Sequence, residues 1–190
     1  MTKNVTETFE MEQKKKVRFA VVGCGHIGKR HAEMIVRNSE AELVALVDVR
    51  DPKELAIEQF EVPFFNSLQQ LLNAPIADTI DVVNIATPNG FHAPQAIQSL
   101  EAQKHVVIEK PLALSKADAE QVIYKALHVH KHVFAVMQNR YSPPSQWMKQ
   151  LLESGVLGKI YMVQLNCYWN RDERYYKLGG WHGRKDLDGG

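Results

Sequence analysis

An excess of charge of either sign is missing from this chain: 23 lysines and arginines stand against 22 aspartates and glutamates. The formal net charge of +1 gives no electrostatic hold on nucleic acid or on an anionic membrane surface, so neither is expected as a partner. Long apolar runs are missing as well, and none approaches the roughly 20 residues that span a bilayer. Cysteine is scarce. Cys24 and Cys167 lie far apart and form no metal or redox motif, so a reduced, cytoplasmic setting is expected. Residues 1–16 are polar and lack the apolar stretch of a secretory signal; they read as a disordered tail.

What is present is an alternation of two periods. VRFAVV at 17–22 and LVALVD at 43–48 are short, β-branched apolar runs, the pattern of strands buried on both faces. DVVNIA at 81–86, HVVI at 105–108 and residues 133–137 repeat it. Between them, residues 27–37, 67–73, 94–102 and 116–127 carry helical spacing, with Ser67 and Ser115 as N-caps. Strands alternating with helices in this way mean βαβ units, a parallel sheet and right-handed crossovers. The fold expected is α/β, a doubly wound Rossmann domain over residues 17–140.

The rhythm changes after Arg140. Residues 145–154 read as a linker helix, and KIYMVQLNCYW at 159–169 as a longer, partly alternating strand. Residues 141–190 are therefore read as the truncated start of an α+β domain with a mostly antiparallel sheet. One strand cannot bury a sheet face alone.

Gly23-Cys24-Gly25-His26-Ile27-Gly28 fits G-x-G-x-x-G, follows one expected strand and opens a helix. Gly23 permits the tight turn, Gly25 lets backbone approach a pyrophosphate, and Gly28 lets helix and strand pack closely. The helix start offers free N–H groups to the phosphates. Asp48 follows Gly28 by 20 residues, at the end of the second strand, where it can accept hydrogen bonds from ribose hydroxyls. Such a carboxylate repels a 2′-phosphate and favours NAD over NADP; Arg50 beside it tempers that preference. His26, Ile27, Val49 and Arg50 complete the expected cofactor loop. Cys24 fills a spacer position without chemistry.

Two further loops end strands on the same side. Thr87-Pro88-Asn89 follows DVVNIA and either edges the cofactor or is a plain Pro/Asn turn. His92 is a cleft residue or a helix-start residue. Glu109-Lys110-Pro111 ends HVVI. Lys110 is an exposed turn lysine on pattern alone, or a group that hydrogen-bonds a substrate hydroxyl beside a nicotinamide. His128, His130 and His132 straddle a helix end and a strand start, so no metal site is expected there.

VVGCGHIGKRHAEMI, VDVR, ATPNGFHAPQAI, HVVIEKPLALSKADAEQVI and VMQNRYSPP together resemble the glucose–fructose oxidoreductase / inositol dehydrogenase (Gfo/Idh/MocA) family, over residues 17–190. The resemblance implies an NAD-dependent enzyme that moves hydride to or from a sugar or cyclitol carbon and forms a homo-oligomer at full length. It implies that Lys110 is catalytic, that Asn89, His92 and Glu109 border the cofactor, and that Arg140 lies near substrate. The tail, NCYWNRDERYYKLGGWHGRKDLDGG, is similar to members that oxidise UDP-N-acetylated hexuronic acids for surface polysaccharides. Arg171, Arg174, Tyr175 and Trp181 would then meet a nucleotide-sugar. One departure stands out. The histidine and aspartate that such members carry on a helix beyond a DLDGG-like segment have no counterpart before Gly190, and His182 precedes that segment. The chain is thus expected to be incomplete and inactive alone. The alternative is a non-catalytic NAD-binding sensor or scaffold module.

Overall fold

The computed structural model describes residues 15–176 and 179–189. The expected disordered tail lies outside the described residues, except for Lys15 and Lys16.

Six parallel strands form one sheet: β1 (Val17–Val22), β2 (Ala41–Val47), β3 (Phe64–Phe65), β4 (Val82–Ile85), β5 (His105–Ile108) and β6 (Val133–Ala135), in the order β3-β2-β1-β4-β5-β6. The α/β doubly wound expectation holds. Side-chain alternation sends Ala20 and Val22 of β1 into one core and Val21 into the other.

The first core is closed by α3 (Leu68–Asn73), α4 (His92–Glu101) and α5 (Lys116–His128), through Leu68 and Leu71, Ala96 and Leu100, and Val122 and Ala126. The second is closed by α1 (His26–Arg37), which buries Gly28, Ala32 and Ile35 at the i, i+4, i+7 spacing of a single face. A short α2 (Pro52–Leu55) adds Leu55 to that side. Ser67 and Ser115 cap as expected, accepting from the N–H groups of Gln70 and Asp118.

Sequence reading missed β3, which is two residues long, and α2, one turn begun by Asp51 and Pro52. Neither is long enough to show a period. The other discrepancy is larger. Helix α6 (Pro143–Glu153) forms, but residues 159–169 make no strand, and Tyr161, Met162, Val163 and Leu165 stand exposed. The cause is physical: no other described segment pairs with them, and an unpaired strand has neither ladder nor buried face.

Candidate cofactor crevice and active site

The strand order reverses between β1 and β4: the chain leaves β1 for β2 and β3, then returns to the other side at β4. Parallel strands put all carboxyl ends on one edge, so the loops after β1, β2, β4 and β5 converge there. A crevice at this switch point is where open α/β sheets receive ligands.

The glycines fit it tightly. Gly23 has φ +86°, and a Cβ there would lie 2.7 Å from the Ala86 carbonyl carbon. At Gly28 a Cβ would fall onto the Gly23 carbonyl oxygen. Gly25 differs: the nearest atom to a Cβ is Arg50 Nη2, at 3.8 Å. The space over Gly25 is open, no side chain caps α1 and no acidic residue sits in its first turn. An amide-lined, electropositive recess of that kind accepts a diphosphate.

Asp48 is buried beneath this turn. Its Oδ2 accepts the Cys24 N–H at 2.7 Å, and Oδ1 accepts the Arg50 N–H at 3.0 Å. The Arg50 guanidinium adds contacts of 3.2 and 3.3 Å. Burial opposes ionisation, but the Arg50 side chain, the two amides and the Arg50 charge outweigh it and hold the carboxyl below its usual range. Arg50 thus lies between Asp48 and the open recess. Burial, with the Asp48 charge beside it, pushes the Cys24 thiol up to about 12, which leaves it inert as the sequence suggested.

The remaining expected cofactor residues are spread unevenly. Ile27 is exposed and Val49 is 87% exposed. His26 lines a surface groove along α1 with Lys29, Arg30, Glu33, Arg37 and Gln59. Thr87 Oγ1 donates to Gln95, and the Pro88 carbonyl accepts the Phe91 N–H. Asn89 Nδ2 donates to the backbone carbonyl and to Oδ1 of Asp188, at 3.1 and 3.2 Å, while the Gly90 N–H donates to the Leu187 carbonyl. The C-terminal segment therefore lies on this loop.

His92 is not a cleft residue. It is 1% exposed, with Nδ1 2.7 Å from the Pro111 carbonyl and Nε2 2.9 Å from the Thr87 carbonyl. It clips the loop after β4 to the loop after β5, because its place at the start of α4 turns the ring inward. Lys110 is exposed at the carboxyl end of β5, its bond to Pro111 is cis, and Nζ makes no hydrogen bond among the described residues. Its neighbour Glu109 is part-buried and reaches His31 on α1, with Nε2 to Oε1 at 3.0 Å.

Of the expected substrate residues, Arg171, Tyr175 and Trp181 gather elsewhere. Arg140, in the turn Gln138–Tyr141, is exposed with no side-chain hydrogen bond among the described residues. The Arg171 guanidinium lies 4.2 Å from the Trp169 ring centre and 4.3 Å from that of Tyr175. Tyr175 stacks on His182, which Trp181 also touches. Asp188 joins this segment to the β4 loop by accepting from both the Gly183 N–H and Asn89. Arg174 instead pairs locally with Asp172. Sequence reading missed His31 and Asn84, although a lone amide inside the apolar run DVVNIA was a signal.

Residues 17–137 match the family described as "Oxidoreductase family, NAD-binding Rossmann fold". A D-glucoside 3-dehydrogenase of Escherichia coli K12 is 30% identical over 92% of this chain and 49% of its own length. A myo-inositol 2-dehydrogenase of Thermotoga maritima is 27% identical over 78% and 44%. Among solved structures, the WlbA dehydrogenase of Bordetella pertussis, in complex with NADH and UDP-GlcNAcA, superposes with a TM-score of 0.83 at 35% identity, covering 92% of this chain and 52% of its own. The chain spans about half the length of the curated relatives it matches.

Proposed function

This chain belongs to the oxidoreductase family with an NAD-binding Rossmann fold, and from that premise we propose that it is the cofactor-binding part of an enzyme moving hydride between a sugar or nucleotide-sugar carbon and nicotinamide. The observation that carries the proposal is the open recess over Gly25, floored by uncapped α1 amides and flanked by Asp48. Gly25 gives a diphosphate room, Gly23 and Gly28 let the turn and helix pack beneath it, and Asp48 accepts from ribose hydroxyls once Arg50 swings aside. The loop Thr87-Pro88-Asn89 borders the next part of the crevice.

When bound, NAD supplies the hydride acceptor at its nicotinamide ring. Lys110 hydrogen-bonds the substrate hydroxyl at the mouth of the crevice and takes its proton as the carbon gives up hydride, leaving a carbonyl. Reduction runs through the same group in reverse. The Arg171, Tyr175 and Trp181 cluster, tied to the crevice through Asp188, offers a cation and aromatic faces to a charged nucleotide-sugar. The proposal keeps the cytoplasmic setting expected from the sequence.

Titrating NADH and NADPH against tryptophan fluorescence tests the cofactor step. NADH is expected to bind at least about tenfold tighter, a difference of about 1.4 kcal/mol; tighter NADPH would remove Asp48 from its role. In the full-length enzyme, with a nucleotide-sugar uronate as substrate, Lys110→Ala should cut turnover by about 10²- to 10⁴-fold while NADH affinity holds. Undiminished turnover would dismiss Lys110.

A further inference from the structure

Three polar side chains near the Lys110 loop form one connected chain. Asn84 lies on β4, 5% exposed, in register with Val21 of β1 and Val107 of β5. Its amide lies 3.2 Å from His31 Nδ1, and His31 Nε2 lies 3.0 Å from Glu109 Oε1. The His31 and Glu109 side chains are 14% and 13% exposed. The second Glu109 oxygen accepts the backbone N–H of Lys110 at 3.2 Å.

Partner counting fixes the direction of these bonds. With Asn84 Nδ2 donating, Nδ1 accepts and the ring proton sits on Nε2, aimed at the carboxylate. That leaves one buried acceptor, Asn84 Oδ1, without a partner among the described residues. The opposite amide orientation would leave two N–H groups unpaired and demand a second ring proton. Burial would raise the Glu109 carboxyl, but the His31 hydrogen bond, then the Lys110 amide and charge, hold it below the usual carboxylate range.

We propose that His31 is a positioning residue for Lys110: it holds the Glu109 carboxylate, which holds the Lys110 backbone and so sets where the side-chain nitrogen stands. This rests on the reading that Lys110 handles the substrate proton. His31 rides on α1, the helix whose first amides face the diphosphate. One rigid element thereby registers the cofactor and the lysine against each other.

Substitutions at residue 31 separate its two contacts. Gln places an amide N–H where Nε2 stands and keeps the bond to Glu109. Asn reaches only the Nδ1 position and keeps the Asn84 contact, and Leu keeps neither. In the ¹⁵N-labelled chain, the Lys110 amide resonance followed against pH reports protonation of the carboxylate it donates to. His31→Gln should leave that midpoint near the wild-type value. His31→Asn and His31→Leu should raise it by about one pH unit and quicken hydrogen exchange at that amide by about tenfold. A midpoint alike in all four proteins overturns the proposal. So does a Gln variant that behaves like Leu, which would assign His31 to helix packing. If Leu unfolds the chain, the Gln and Asn pair decides. No substrate or cofactor enters the measurement, so absent NADH binding would refute the oxidoreductase reading and leave this result standing.

Discussion

Residues 82–85 and residues 159–169 are both apolar stretches of strand-forming composition, yet they end in opposite states. Val82, Val83, Asn84 and Ile85 are all buried, hydrogen-bonded on one side to β1 and on the other to β5. Tyr161, Met162, Val163 and Leu165 join no strand pairing among the described residues and face solvent. Strand-forming residues describe what fits a pleated, covered surface, and that surface must be supplied by neighbours. The first stretch has both neighbours within a hundred residues of sequence. Its carboxyl end consequently becomes a wall of the crevice, with Ala86 pressed against Gly23. The second contributes no fixed element to the site; its contribution comes through the aromatic stack that follows it.

The sharpest way to break this comparison is to damage the packed region where it has no slack. Gly28→Ala places a methyl group on the Gly23 carbonyl oxygen, and backbone cannot step aside as a flexible side chain can. A loss on the order of 3–5 kcal/mol in urea unfolding is expected, with NADH binding abolished. A loss below about 1 kcal/mol would mean that the glycine turn shifts freely, and the contrast between a rigid crevice and a loose C-terminal segment would fail.

The same contrast explains what the sequence made legible. Five of the six strands, the caps at Ser67 and Ser115, and the glycine turn were readable because each follows from a local pattern. Strand β3 and helix α2 are set by the neighbours they dock on, and leave too few residues for a period. At the site, Gly23, Gly28 and Asp48 stand where their spacing put them. His92 misled because a histidine beside a strand-end loop reads the same whether its ring turns toward the cleft or, as here, inward between two carbonyls. The pairing of His31 with Glu109 spans 78 positions, which no local pattern encodes.

Acid offers a second, milder test of buried against exposed. Glu109 in the packed region and Asp172 in the C-terminal segment both have lowered carboxyls, Glu109 because His31 and Lys110 outweigh burial, Asp172 chiefly through its hydrogen bond to Arg174. A lowered value in the folded state means that the contribution to stability is complete above the unfolded value, 4.5 for Glu109. It is then lost as pH falls through the folded value. Wild type and Glu109→Gln should therefore differ most in unfolding free energy above that pH and converge below it. The difference should survive about 1 M salt, because the pair is largely out of water. Any contribution from exposed Asp172 should be screened away under the same conditions. A difference that vanishes in salt would place Glu109 and His31 in solvent.

The smallest effect is expected where the second stretch is most exposed. Leu165 is 90% exposed and packs against no core. Leu165→Ser should change the unfolding free energy by less than about 0.5 kcal/mol, as substitutions away from packed features do. It removes apolar surface from water in both folded and unfolded chains, so little differential remains. The same exchange at buried Leu100 deletes contacts in the first core and should cost several times more, about 3 kcal/mol or above. Equal losses at the two sites would show that residues 159–169 are packed in solution. That would return to them the strand their sequence suggested.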